Sequence, residues 1–192
     1  LIDERGFTLD QLVSDKYRLR EAVEKKIQSH RMAARREAYN LFLLPDYQTP
    51  LEVHPEICFT YPPDAYPYNK LYTGGYPFQK HYYTQIGDLE AEGEEFDCAV
   101  FLDSLSEVKY WVRNLERRPN YSFWLQTSTD RFYPDFVCLL NDGRYLAVEY
   151  KGEDRWSNDD SKEKRLIGEV WEKRSEGKCL FVMPTGKNWG MI

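Results

Sequence analysis

Apolar residues recur at helical spacing near the amino terminus, where Leu9, Leu12, Val13, Tyr17, Ala22, Val23 and Ile27 line one face of "TLDQLVSDKYRLREAVEKKIQSHRMAARREAYNLFL". Thr8 with Gln11 three residues later has the form of a capping box and marks the start of this long helix. Its other face carries Lys16, Arg20, Lys25, Lys26, Arg31, Arg35 and Arg36, the pattern of a solvated side. The period is lost over residues 45–85, which are rich in Pro, Tyr and Gly. Because Pro breaks helices and interior strands, this stretch reads as a looping connector with one short strand near Glu56 to Phe59.

Regular patterning returns at Glu92. "EGEEFDCAVFLDSL" reads as a helix with Phe96, Ala99, Val100 and Leu102 near one side, and "VKYWVRNL" and "YSFWLQTS" read as strands around the charged turn "ERRPN". Two further strands lie in "RFYPDFVCLLNDGRYLAVEYKG". Asp160 with Glu163 then caps a helix closed by Gly177, and "KCLFVMP" is a short apolar strand. Helix, three or four strands, helix and strand make an α/β layer on a small mixed sheet.

The turn inside the fourth segment determines what faces what. If "NDG", Asn141 to Gly143, is a three-residue loop with Gly143 left-handed, Leu140 pairs with Arg144, Val137 with Ala147, and Asp135 with Glu149. The two carboxylates then share one face with β-carbons about 5 Å apart, and Lys151 joins them by the period of two. A two-residue "DG" turn would instead set Asp135 opposite Tyr150, on the wrong face. Adjacent carboxylates repel unless a cation lies between them, and a hard ion such as Mg²⁺ takes oxygen ligands at about 2.1 Å from one or two carboxylates plus phosphate. Beside it, Lys151 would stabilise charge on a phosphate. A glycosidase carboxylate pair suits this spacing and a neighbouring lysine less well.

Bulk properties narrow the classes. The 192 residues suffice for one domain with an extension. No apolar run approaches the roughly 20 residues that span a bilayer, and "LIDERGF" lacks a signal-peptide layout, so a cytoplasmic protein is expected. A start without Met suggests a piece of a longer polypeptide. The net charge of -6 gives no global pull toward nucleic acid and fits an acidic metal site or a module delivered to DNA by other domains. Cys58, Cys98, Cys138 and Cys179 form no CxxC pair and read as reduced and mostly buried, while His54 and His81 read as hydrogen-bonded structural residues.

"YPDF" followed across a turn by "VEYKG" resembles the PD-(D/E)xK nuclease motif. From about residue 70, "GEEFDCAVFLDSL", "VKYWVRNLERRPNYSFWLQTSTDRFYPDF" and "VEYKGEDRWSNDDSKEKRLIGEVW" are similar to the carboxy-terminal nuclease region of the restriction subunit of type III restriction enzymes and related helicase–nuclease proteins. The resemblance implies a restriction-endonuclease-like core over residues 86–192, with 1–85 as a helical and aromatic-rich extension. It implies Mg²⁺, with Mn²⁺ as a substitute, held by Asp135 and Glu149, and Lys151 supporting catalysis. An acidic residue of the first helix, Glu95 before Glu94 or Asp97, would complete the metal site. Lys162, Lys164 and Arg165 could contact phosphate or form a solvated helix face. The expected partners are double-stranded DNA, a helicase motor in the same full-length polypeptide and a methyltransferase subunit. No Walker A loop occurs, so ATP would act only through that motor. The alternative is a catalytically inactive nuclease-fold module that docks on the motor, the methyltransferase or DNA.

Overall fold

The structure is a computed structural model and describes residues 6, 8–42, 61–118, 120–151, 159–186, 188 and 192. The strand expected near Glu56 to Phe59, His54 and Cys58 lie outside these residues. The chain divides into two compact units, Leu1–Tyr47 and Gln48–Ile192.

The first unit is helical. The capping box forms as the sequence suggests: Gln11 N donates to Thr8 Oγ1 and Thr8 N donates to Gln11 Oε1. The expected single helix is two, α1 (Leu9–Ser14) and α2 (Lys16–Phe42), with Asp15 between them in a non-helical conformation. On α2 the basic residues Arg20 and Lys25 pair with Glu24 and Glu21 one turn away, as solvated helix faces do. Leu9, Val13, Tyr17, Val23 and Ile27 are exposed as well, Tyr17 and Leu9 most of all.

In the second unit, α3 (Glu94–Ser104) leads into β1 (Val108–Arg113), and β4 (Phe136–Leu140), β5 (Tyr145–Val148), α4 (Asp159–Arg174) and β6 (Cys179–Val182) follow. The main sheet has the order β1-β4-β5-β6, with β1, β4 and β5 antiparallel and β6 parallel to β5 across the α4 connection. This is a mixed α/β core. "YSFWLQTS" departs from the expected strand: only β2 (Leu125–Gln126) is extended, and it pairs with β3 (Arg131–Phe132) in a separate two-stranded sheet. Asn114 is the physical reason. Its buried side chain bonds Phe123 N and O and Pro134 O, diverting this backbone from the main sheet.

Each face of the main sheet has its own core, because alternate residues point to opposite sides. On one face Cys98, Ala99 and Leu102 of α3 pack with Trp111, Phe136, Cys138, Leu146 and Val148; on the other, Ala147, Phe181 and Met183 pack with Phe132 and Trp171 of α4. The aromatic connector is tied to the first core. Buried Asp103 accepts bonds from Gln79 N, Lys80 N and Trp111 Nε1, and Trp111 exchanges backbone bonds with Lys80 and Tyr82. His81 is a hydrogen-bonded structural residue, its Nδ1 against Tyr83 O and its Nε2 accepting from Arg113 N. Cys98 and Cys138 are buried free thiols, and Cys179 is a half-buried one. No helix among the described residues is long and apolar enough to cross a membrane.

The β4–β5 turn is the three-residue loop Asn141 to Gly143. Leu140 N donates to Arg144 O at 2.8 Å, Gly143 N closes the turn on Leu140 O, and Gly143 has φ +88°. A side chain in that region of φ costs about 1–2 kcal/mol. Gly143→Ala is therefore expected to lower the unfolding free energy by that amount, moving the urea midpoint down with an unchanged slope. Gly168→Ala, whose β-carbon would overlap the Phe181 ring, is expected to cost about 1–3 kcal/mol by overpacking. Equilibrium urea unfolding checks both.

Candidate metal and carboxylate site

The register set by this turn runs Leu139↔Tyr145, Cys138↔Leu146, Val137↔Ala147 and Phe136↔Val148. One step further, Asp135 lies opposite Glu149. This is a non-hydrogen-bonded position of the ladder, where facing residues approach most closely. The step beyond would pair Tyr150 N with Pro134 O, but Pro134 O accepts the amide of Asn114 instead. Tyr150 N donates to Asp135 Oδ2 at 2.7 Å, so the aspartate side chain takes over where the ladder stops. β6 and the residues just after it hold the other edge of this segment, with Glu149 N bonded to Val182 O and Lys151 N to Pro184 O, both at 3.1 Å. Glu149 and Lys151 therefore project from backbone anchored on a neighbouring segment.

Four acids and three cations meet here. Lys151 Nζ lies 2.8 Å from Glu149 Oε1, and Lys164 Nζ, from α4, lies 3.6 Å from the same oxygen and 3.2 Å from Asp160 Oδ2. Arg113, at the end of β1, makes an ion pair with Glu95 and reaches Asp135 Oδ1 at 3.8 Å. Its guanidinium also donates to the carbonyls of Asp135 and Asn114 and sits over the Phe136 ring. The Glu149 side chain is 4% exposed, and its Oε2 has no hydrogen-bond donor among the described residues.

Burial pushes the Glu149 carboxyl up to about 8, and the negative charge of Asp135 adds to this against the opposing pull of Lys151 and Lys164. Burial likewise raises Glu95 to about 7, with Arg113 opposing it, and raises Asp135 against Arg113 and the Tyr150 N–H. Burial lowers the Lys164 ammonium, but Glu149 and Asp160 outweigh it and the net shift is upward.

Of the residues singled out in the sequence, Asp135, Glu149 and Lys151 converge, and Glu95 reaches the group through Arg113. Lys164 turns onto Glu149, whereas Lys162 is exposed and Arg165 is half-buried. Asp160 lies inside α4 and pairs with Lys164, so it is not the helix cap its spacing with Glu163 suggests. Glu163 is instead buried, accepting a bond from Ser128 N. Arg113 and Asn114 were missed. The available signal was the period of two from Trp111, which turns a charged Arg113 to the face where α3 packs.

No three His, Cys, Asp or Glu side chains among the described residues converge closely enough to hold an ion. What the site offers a hard cation is the Asp135–Glu149 pair, including a buried carboxylate oxygen with no donor. That set fits Mg²⁺, which is commonly held by one or two carboxylates and completed by water and phosphate. Comparison with protein-family models, curated proteins and solved structures finds no match for this chain.

An acid whose folded-state pKa is raised favours folding below its unfolded pKa and loses that contribution as pH rises through the folded value. In chelator, stability is expected to fall from pH 4.5 to about 8 as Glu149, and Glu95 with it, is forced to ionise. Glu149→Gln should flatten the curve and leave the variant more stable than the parent at the alkaline end. Urea midpoints across this pH range check it; parallel curves for the two proteins would refute it.

Proposed function

We propose that residues 86–192 form a Mg²⁺-dependent DNA endonuclease domain with a restriction-endonuclease-like core, of the kind found in type III restriction enzymes and related helicase–nucleases. One observation carries this reading: one step beyond the β4–β5 ladder Asp135 comes opposite Glu149, whose buried Oε2 has no hydrogen-bond donor among the described residues and whose Oε1 pairs with Lys151. Two buried carboxylates are costly to bring together, and a divalent ion compensates that repulsion where a solvated surface pair would simply separate.

Asp135 and Glu149 would hold the ion, with Glu95 as a helper once released by Arg113. When bound, the ion supplies Lewis-acid charge to a phosphodiester and acidifies water. Lys151, on backbone anchored just past β6, is placed to stabilise negative charge growing on the phosphate. Tyr150 N–H fixes the Asp135 carboxylate in orientation, and Lys164 keeps Glu149 from turning away. The wider setting follows the same reading: a cytoplasmic enzyme acting on double-stranded DNA, with a motor elsewhere in the polypeptide and a methyltransferase partner.

A second reading draws on Arg113, which already neutralises Glu95 and approaches Asp135. A nuclease fold whose acids are satisfied by its own cations could serve only for docking. Mg²⁺-dependent nicking of plasmid DNA separates the two. Asp135→Asn, Glu149→Gln and Lys151→Ala are each expected to lower it by about a hundredfold or more while leaving the melting profile cooperative. Undiminished Mg²⁺-dependent cutting by Asp135→Asn would remove the site assignment. Calorimetry showing no Mg²⁺ or Mn²⁺ binding that depends on Glu149 would favour docking.

A further inference from the structure

The face of the main sheet that bears Asp135 and Glu149 is only partly covered. α4 packs on β6 and β2, and over β1 and β4 an open groove of about 780 Å³ remains. Tyr82, Tyr110, Trp124, Tyr145 and Trp171 contribute rings to it, and none of its lining side chains carries a charge. Tyr82, Tyr110 and Tyr145 are 40%, 42% and 50% exposed, unusual for rings so close to a core.

Cations lie on these rings. Arg131 is 4.3 Å above the Trp124 ring, and Lys109 lies 5.7 Å from the centre of Tyr110, where the β1–β4 register shifts. Both side chains are exposed. An uncharged floor of aromatic rings with cations along its rim suits a ligand that alternates flat π-systems with negative charges. Continuity with the carboxylates adds direction. Val137 lines the groove, and Asp135 is two residues along the same strand on the same face, about 7 Å away by strand rise.

We propose that this groove binds single-stranded DNA, stacking its bases on the tyrosine and tryptophan rings and meeting its phosphates with Lys109 and Arg131. The choice of DNA rests on the nuclease reading above. The chain's net charge of -6 gives duplex DNA little general attraction, so affinity has to come from stacking, which duplex bases cannot provide. A proline-rich peptide also docks on aromatic grooves but has no phosphates for the two cations.

The test uses the whole chain, in chelator so that no cleavage occurs, with a fluorescein-labelled oligothymidylate of about twelve nucleotides read by anisotropy. Tyr145→Ala is expected to weaken binding about tenfold and Tyr145→Phe less than about twofold, because the ring rather than the hydroxyl does the stacking. Arg131→Gln should reduce the slope of log affinity against log salt by about 0.7. Tyr145 is half exposed, so its variants should fold, and circular dichroism melting verifies this. Tyr145→Ala binding as tightly as the parent overturns the proposal, as does equal affinity for a duplex of the same length, or binding of a labelled polyproline peptide in place of the oligonucleotide. None of these outcomes depends on whether Asp135→Asn abolishes cutting, so the groove and the nuclease site can fail separately.

Discussion

The register of one hairpin governs everything at the end of the main sheet. A three-residue turn needs a residue with positive φ to return the chain, and Gly143 supplies it. Both faces of β4 and β5 are committed to separate cores, Cys138 and Leu146 toward α3 and Ala147 toward α4, so a slip by one residue would exchange the two sets and bury neither correctly. The same constraint that packs these side chains carries Asp135 opposite Glu149. The carboxylate pair is therefore a consequence of the hydrophobic alternation and is paid for by it.

Electrostatics then decides what kind of site this is. Asp135, Glu149 and Glu95 are all raised by burial, and each has a cation nearby that only partly compensates. Removing a partner from such a set leaves an uncompensated charge in a poorly solvated place, which costs more than the pair contributes. Arg113 is central because it joins β1, α3 and β4: one guanidinium meets the Glu95 carboxylate, the Asp135 carbonyl and the Asp135 carboxylate. Three cations answer most of this charge without a metal, yet one oxygen of Glu149 has no donor among the described residues.

Much of this was legible in short stretches. The capping box at Thr8, the helix from Glu94 to Ser104, the two candidate hairpin turns and the alternation through β4 and β5 are local matters, decided by residues within a few positions of one another. The strand expected in "YSFWLQTS" failed because Asn114, nine residues before Phe123, captures that backbone with its side chain. The helix cap at Asp160 failed for a similar reason, since the helix begins earlier and Asp160 is taken by Lys164.

By itself, then, the sequence determined most of the elements and narrowed the hairpin to two turns, only one of which sets Asp135 opposite Glu149, because turn chemistry and a period of two are carried by neighbouring residues. Only the tertiary structure selected the three-residue turn and decided which cations answer those carboxylates. Arg113 and Lys164 come to the site from β1 and α4, far from the motif in sequence, and a charge's partner in a folded chain depends on distance and burial that no local pattern encodes.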